Sequence, residues 1–287
     1  MNKFPDFLQI PLAEWTDRGM DWLLVNWGVF FDAIGGAILF ILIRLESFFL
    51  MIPWWLVVVA VAVVGWRVMQ KWWFGLSMAI LLMLIGSFGY WDLAMMTLSV
   101  TTASVIISLA FGIPLGIVMA RNDLVESIVK PILDAMQTMP SFVYLVPALM
   151  FFGLGKVPAV FATIIYAMPP VIRLTNVGIR QVQASVVEAA RAFGASPRQI
   201  LFDVQLPLAV PSIMVGINQT TMMALAMVVI ASMIGARGLG LEVLLSINRI
   251  EVGRGVEAGI SIVFLAIIID RITSALAKQK QGEVSSE

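Results

Sequence analysis

The sequence predicts an all-α membrane protein: a polytopic bundle of about seven transmembrane helices, with six to eight as the range, behind an N-terminal amphipathic helical leader. Three observations predict it. Of the 287 residues, 60% are hydrophobic and only 13% charged, with a mean hydropathy of +0.97, against roughly 45–50% apolar and about 25% charged in soluble domains. Six stretches, 47–66, 72–91, 93–120, 135–155, 157–172 and 204–236, carry no Asp, Glu, Lys or Arg, and a helix needs ~20 such residues to cross the hydrocarbon. Finally, the basic residues gather in alternate connections between those stretches, as short cytoplasmic loops require.

Residues 1–50 form the leader. Within it, 12–27 mixes Trp15, Trp22 and Trp27 with Glu14, Asp17, Arg18 and Asp21, the composition of a helix lying in the membrane interface. The run 33–43 is bounded by Asp32, Arg44 and Glu46, which favours a surface-lying or packed helix, with an extra span as the alternative. No basic segment followed by an apolar core and a small-residue cleavage site marks a removable signal peptide. A transmembrane domain over 51–277 follows. Trp54 and Trp55 bracket one end of its first span, and Trp66, Trp72 and Trp73 bracket the next turn, as aromatic belts do. Pro158, Pro169 and Pro170 blur the ends of 157–172. A seventh span is expected at 253–274, with Asp270 and Arg271 at the interface and the Arg stem snorkelling to water. Residues 278–287 are read as a tail.

Orientation follows from the basic residues. With the N-terminus outside, Arg67, Lys71, Arg121, Lys130, Arg173, Arg180, Arg191, Arg198, Arg271, Lys278 and Lys280 face the cytoplasm, 11 of the 18. The inverted arrangement reverses the bias and is disfavoured. The expected protein is therefore multi-pass in a bacterial inner membrane, with its N-terminus periplasmic and its C-terminus cytoplasmic.

Composition also narrows the chemistry. Net charge is zero, so nothing points to a nucleic-acid partner, and with no Cys and no His there is neither a thiolate nucleophile nor an imidazole base. No catalytic or metal-ligating set is predicted. An intramembrane serine hydrolase, the rival from another class, has no base for Ser196. A channel or secondary transporter would more often show deep charges or repeated halves. The run from Gly235 to Gly240 lacks the Gly-Lys-Ser/Thr ending of a phosphate loop, and reads as the hinge of a short periplasmic helix.

The loop 181–211 holds the most local information. Ser185 with Glu188, and Ser196 with Gln199, each have capping-box spacing. Pro197 occupies the favoured first helical position, and Gly194 is placed to end the preceding helix. Two short helices joined by a tight bend are expected, with Ala189 and Ala190 offering a small-residue surface. Leu206-Pro207 and Pro211 mark the handover to the next span.

The string Glu188-Ala189-Ala190, Gly194 and Val204-Gln205-Leu206-Pro207 resembles the EAA motif of permease subunits in ATP-binding-cassette importers. Pro114-Leu-Gly-Ile, Leu133-Asp-Ala-Met-Gln-Thr, Pro140 to Pro147, Phe193 to Gln199 and Met227 to Met233 are similar to the permeases that import glycine betaine, proline betaine, choline and related osmolytes. Choline, carnitine or another small solute is the alternative cargo. The resemblance implies a subunit that does no chemistry and binds no cofactor. Two copies form a pathway, two ATPase subunits use ATP and Mg below, and a periplasmic substrate-binding protein delivers a small-molecule substrate above. It implies that Glu188, Ala189, Ala190, Arg191, Gly194, Ser196 and Pro197 make the coupling elbow, with Leu206 and Pro207 passing motion to the spans. Path candidates are Asn218, Gln219, Thr221 and Met222, adjacent polar and soft groups in one span, and Phe142 and Tyr144, whose rings suit a cation.

Overall fold

A computed structural model describes residues 10–284 of the chain, with side chains through residue 275. Lys3 and residues 285–287 therefore lie outside the described residues, as do the side chains of Lys278 and Lys280. Among the described residues, all regular elements are helical. In chain order they are α1 (Leu12–Met51), α2 (Trp54–Met69), α3 (Trp72–Ser87), α4 (Trp91–Arg121), α5 (Asp123–Thr138), α6 (Leu145–Phe152), α7 (Lys156–Ala167) and α8 (Pro169–Arg180). They continue with α9 (Ala184–Ala192), α10 (Pro197–Gln199), α11 (Leu206–Ala231), α12 (Leu239–Arg249) and α13 (Val252–Val284).

Five helical stretches are long and apolar enough to cross a membrane: α1, α4, α7 with α8, Pro197–Ile234, and α13 to Ala275. A sixth arises if α5 and Ser141–Phe152, bent by 110° at Met139-Pro140, count as one broken span. The two 16-residue apolar helices α2 and α3 measure about 24 Å each at 1.5 Å per residue. With them the spans fall within the expected six to eight.

The leader differs from expectation. Instead of an interfacial helix followed by a separate packed one, residues 12–51 form a single 40-residue helix containing an apolar window able to span. No proline interrupts it before Pro53, and one of its flanking charges is neutralised by tertiary contact. Lys156 of α7 binds Glu46 at 2.5 Å, so a charge that looks prohibitive in the local window is neutralised from 110 residues away. Ile38 and Leu42 are buried against Val100, Ala103, Val160, Ile164 and Val228.

The bundle centres on α8, held between α4 and α11 by close backbone approach. A Cβ added to Gly112 would lie 2.6 Å from Val171 Cγ1, and one on Gly116 would lie 2.6 Å from Thr175 Cβ and 2.7 Å from the Ile172 carbonyl oxygen. On the other flank, Gly178 faces Ser212 and Gly216 faces Val171 and Leu174. In lipid the hydrophobic effect does not drive helices together, so such small-residue contacts supply dispersion where side chains would hold the backbones apart. The hydroxyls of α4 serve the same packing. Thr97, Thr101 and Ser104 donate to carbonyls four residues back, and Ser108 donates to Ile164 O.

Candidate functional site

At one end of the bundle the chain leaves α8 and forms an elbow before entering α11. The first arm, α9, begins at Ala184 with Gln183 in the cap position and no side-chain cap. Ser185 therefore lies inside the first turn, and the box expected with Glu188 does not form. The helix starts early because Gln183 O already accepts from Val186 N and Val187 N.

Its other end is as expected. Gly194 takes φ +82°, Ala195 N donates to Ala190 O at 3.0 Å, and Gly194 N donates to Arg191 O at 2.9 Å. This pair of bonds is the Schellman closure, which needs a residue without Cβ strain at the left-handed position. Two residues on, Ser196 caps α10 with the full reciprocal box: its hydroxyl accepts from Gln199 N, and Gln199 Oε1 accepts from Ser196 N at 2.9 Å. Pro197 sits at the first helical position.

Between α10 and α11 the backbone widens to a π turn over Ile200–Gln205, where Leu206 N donates to Leu201 O. Pro207 explains it, because its ring crowds the carbonyl four residues back and it has no N–H to donate there. Ile200 and Leu201 are buried, and Leu201 packs with Ile179, Ala209 and Ile213. The elbow is thereby riveted to the bundle on one side. Its other side is bare: no residue of α9 is buried, Phe193 is 92% exposed and Phe202 is 61% exposed. Phe193 is the residue that motif reading missed, since its exposure depends on how the bend presents it.

The elbow stands on a polar hub. Arg180, the last residue of α8, donates to Asn176 Oδ1 at 3.0 Å, Met119 O at 2.9 Å and Asp123 Oδ1 at 2.7 Å, and pairs with Glu126 at 3.1 Å. One guanidinium thus joins the end of α4, the start of α5 and the exit of α8. Asn122 caps α5 by accepting from Leu124 N and Val125 N, and Arg173 reaches Asp134 at 2.5 Å. A cleft of about 240 Å³ between Ala120, Arg121, Val187, Arg191 and Pro197 separates hub and elbow.

The path candidates do not form one surface. Asn218 faces α13, where Nδ2 donates to Asp270 Oδ1 and Ser274 Oγ while its Oδ1 accepts from Thr273. Thr221 is buried and donates to Ile217 O, whereas Gln219 is exposed and Met222 half-buried. Tyr144 is buried among Ala159, Met227 and Ala231 with its hydroxyl donating to Met136 O, and its ring edge meets Tyr166 at 6.0 Å. Phe142 is 60% exposed. Outward positions are thus Phe142, Val146 and Met150 at the bend and α6, and Val215, Gln219, Ala226 and Met233 on and just beyond α11.

The far end closes on the Gly-rich turn. Leu239 N donates to Thr97 Oγ1 at 2.9 Å, and Gly155 N donates to Ile234 O at 2.9 Å. Gly238 has its own Cα hydrogens where a Cβ would lie 2.6 Å from Thr97 Oγ1. Arg254 of α13 binds Glu242 of α12 at 2.6 Å. Burial, then the carboxylates of Glu257 and Glu242, push the Tyr90 hydroxyl above its ordinary pKa.

The family model described as the inner membrane component of binding-protein-dependent transport systems matches residues 112–281, a stretch that includes the whole elbow and hub. The glycine betaine transport system permease protein OpuAB of Bacillus subtilis (strain 168) is 45% identical over 98% of this chain and 99% of its own. The glycine betaine/carnitine transport permease protein GbuB of Listeria monocytogenes serotype 1/2a is 47% identical over 97% of this chain and 100% of its own. ProW of Escherichia coli K12, a glycine betaine/proline betaine transport system permease protein, is 45% identical over 95% of this chain and 77% of its own. In fold, an inward-facing structure of the MetNI methionine ABC transporter matches with a TM-score of 0.58 at 21% identity, covering 64% of this chain and 93% of that one. A permease bundle with a locally specified elbow, matched along nearly its full length by transport permeases, places this chain in the family of inner-membrane components of binding-protein-dependent transport systems.

Proposed function

We propose that the chain is the permease subunit of an ATP-binding-cassette importer for glycine betaine and proline betaine, with choline or carnitine as the alternative cargo. Two copies form the pathway in a bacterial inner membrane, with the N-terminus periplasmic and the elbow and C-terminus cytoplasmic. Two ATPase subunits, which use ATP and Mg, dock on the elbow, and a periplasmic binding protein delivers substrate to the far end. The elbow carries this reading. It is rigid by its own hydrogen bonds and anchored beneath by Ile200 and Leu201, yet it presents an uncovered face holding Glu188, Ala189 and Phe193. Such a lever suits the conversion of ATPase closure into bundle rocking, whereas a slack loop would absorb the stroke. The cargo rests on relatives of 45–47% identity that are named for glycine betaine.

The test is uptake of labelled glycine betaine, proline betaine, choline and carnitine by proteoliposomes holding permease, ATPase and binding protein. ATP-dependent uptake of glycine betaine that the unlabelled betaines outcompete is the expected result. Uptake without ATP, or none of any of the four, would overturn the proposal.

A further inference from the structure

Asp270 is a carboxylate on α13, five residues before the end of the apolar stretch Val252–Ala275. Counted along α13 it lies 18 residues beyond Val252, and its partner Asn218 lies 12 residues beyond Leu206 on α11, about 27 Å and 18 Å along the respective axes. No cation pairs with it among the residues whose side chains are described, 10–275. Instead Oδ1 accepts from Asn218 Nδ2 at 3.1 Å and from Ser274 Oγ at 3.3 Å, while Asn218 also donates to Ser274 at 3.2 Å and accepts from Thr273. Ionisable side chains in spans are costly and mark function by default. Simple adhesion of α11 to α13 needs no such group, because small and apolar residues supply it elsewhere in the bundle.

The position of this clasp points to its role. Below it, the π turn, Pro207 and Pro211 lie between the elbow and Asn218 and set the path of α11 away from the bend. Above it, α13 is tied through Arg254 and Glu242 to α12, and α12 opens on the turn held by Thr97. We propose that the Asn218–Asp270 clasp is a positioning element that carries displacement of the elbow from α11 into α13 and on to α12 at the far end. The proposal rests on the permease reading. Asp270 and Asn218 act through the helices they join and need not touch the solute.

The chain has no cysteine, so a thiol introduced by Ile247→Cys on exposed α12 reports the far end. In the assembled complex, with binding protein and solute left out, its labelling rate is compared between nucleotide-free and ATP-analogue-bound states. With the clasp intact, nucleotide should change the rate about fivefold or more, the size of a typical inter-site coupling. In Asp270→Leu or Asn218→Leu backgrounds the change should vanish, and in the double variant it should be no worse, as for residues acting in one unit. Exchanging the groups, Asn218→Asp with Asp270→Asn, should restore it, an outcome that merely structural damage does not allow. Thermal unfolding identifies any variant that fails to fold, and the exchanged pair decides in that case. Equal nucleotide responses with and without the clasp overturn the proposal, as does an exchanged pair as unresponsive as the single ones. A wild-type chain that binds no ATPase overturns both this proposal and the permease reading beneath it, which separates that failure from the others.

Discussion

Phe193→Ala isolates the proposed docking face from the fold. The ring is 92% exposed at the apex of the bend, and the Schellman closure beside it uses only backbone groups. Removing the ring should therefore change the stability of the isolated permease by no more than about 0.5 kcal/mol, the usual range for surface substitutions. If the ATPase buries it, the loss is that of a phenylalanine taken fully from water, about 1.5–3 kcal/mol. At 1.4 kcal/mol per tenfold, this weakens the complex about 10- to 150-fold. The assay is a titration of labelled ATPase subunit against permease in nanodiscs, alongside thermal unfolding of the permease alone. Leu154→Ala is the control, equally apolar and exposed but at the far end beside Gly155, and should leave ATPase affinity unchanged. An affinity within twofold of wild type for Phe193→Ala, or a lowered unfolding temperature in the isolated chain, would refute the assignment of this face.

Four further substitutions probe the same frame. Gly194→Val has open space around its Cβ but φ +82°, so its cost is backbone strain of about 1–3 kcal/mol; the variant should insert normally yet lose solute import per ATP hydrolysed, and unchanged import would remove Gly194 from the elbow's mechanism. Gly116→Ala forces a methyl to within 2.6 Å of Thr175 Cβ and should destabilise by about 1–3 kcal/mol as overpacking does, while Gly259→Ala, with nothing within 4 Å, should be neutral or stabilising by up to about 1 kcal/mol; thermal unfolding in detergent ranks the two. Thr97→Val keeps the shape but leaves the buried Leu239 N–H without its acceptor, at a cost of about 1–3 kcal/mol, and should speed hydrogen exchange at that amide.

What could be read in the sequence was what short-range chemistry decides. Ser196 and Gln199 are three residues apart and satisfy each other, and Gly194 meets a backbone demand within its own turn, so both stand as expected. Ser185 and Glu188 have the same spacing, yet Gln183 starts the helix first, because a cap motif signals a possible terminus and the neighbouring backbone selects the real one. Charge-free windows found most of the spans for the same local reason. They misjudged the leader because a window counts Glu46 as a full charge, whereas the structure supplies Lys156 from another helix.

The candidate site divides in the same way. The elbow residues lie within one stretch of chain, and their identities were legible. Their meaning depends on partners far along it: Arg180 acquires Asp123 and Glu126, and Asn218 acquires Asp270. Asn218 illustrates the difference most sharply. Two adjacent amides in a span require either water or protein partners, and sequence alone cannot apportion them between the two. The fold gives Asn218 protein partners on α13 and leaves Gln219 on the outward face of α11. The amide positions therefore have separate surroundings: the inward one joins helices, and the outward one is exposed. In a membrane bundle the solvent cannot satisfy a polar group, so finding what each polar side chain is tied to is the step that separates machinery from pathway.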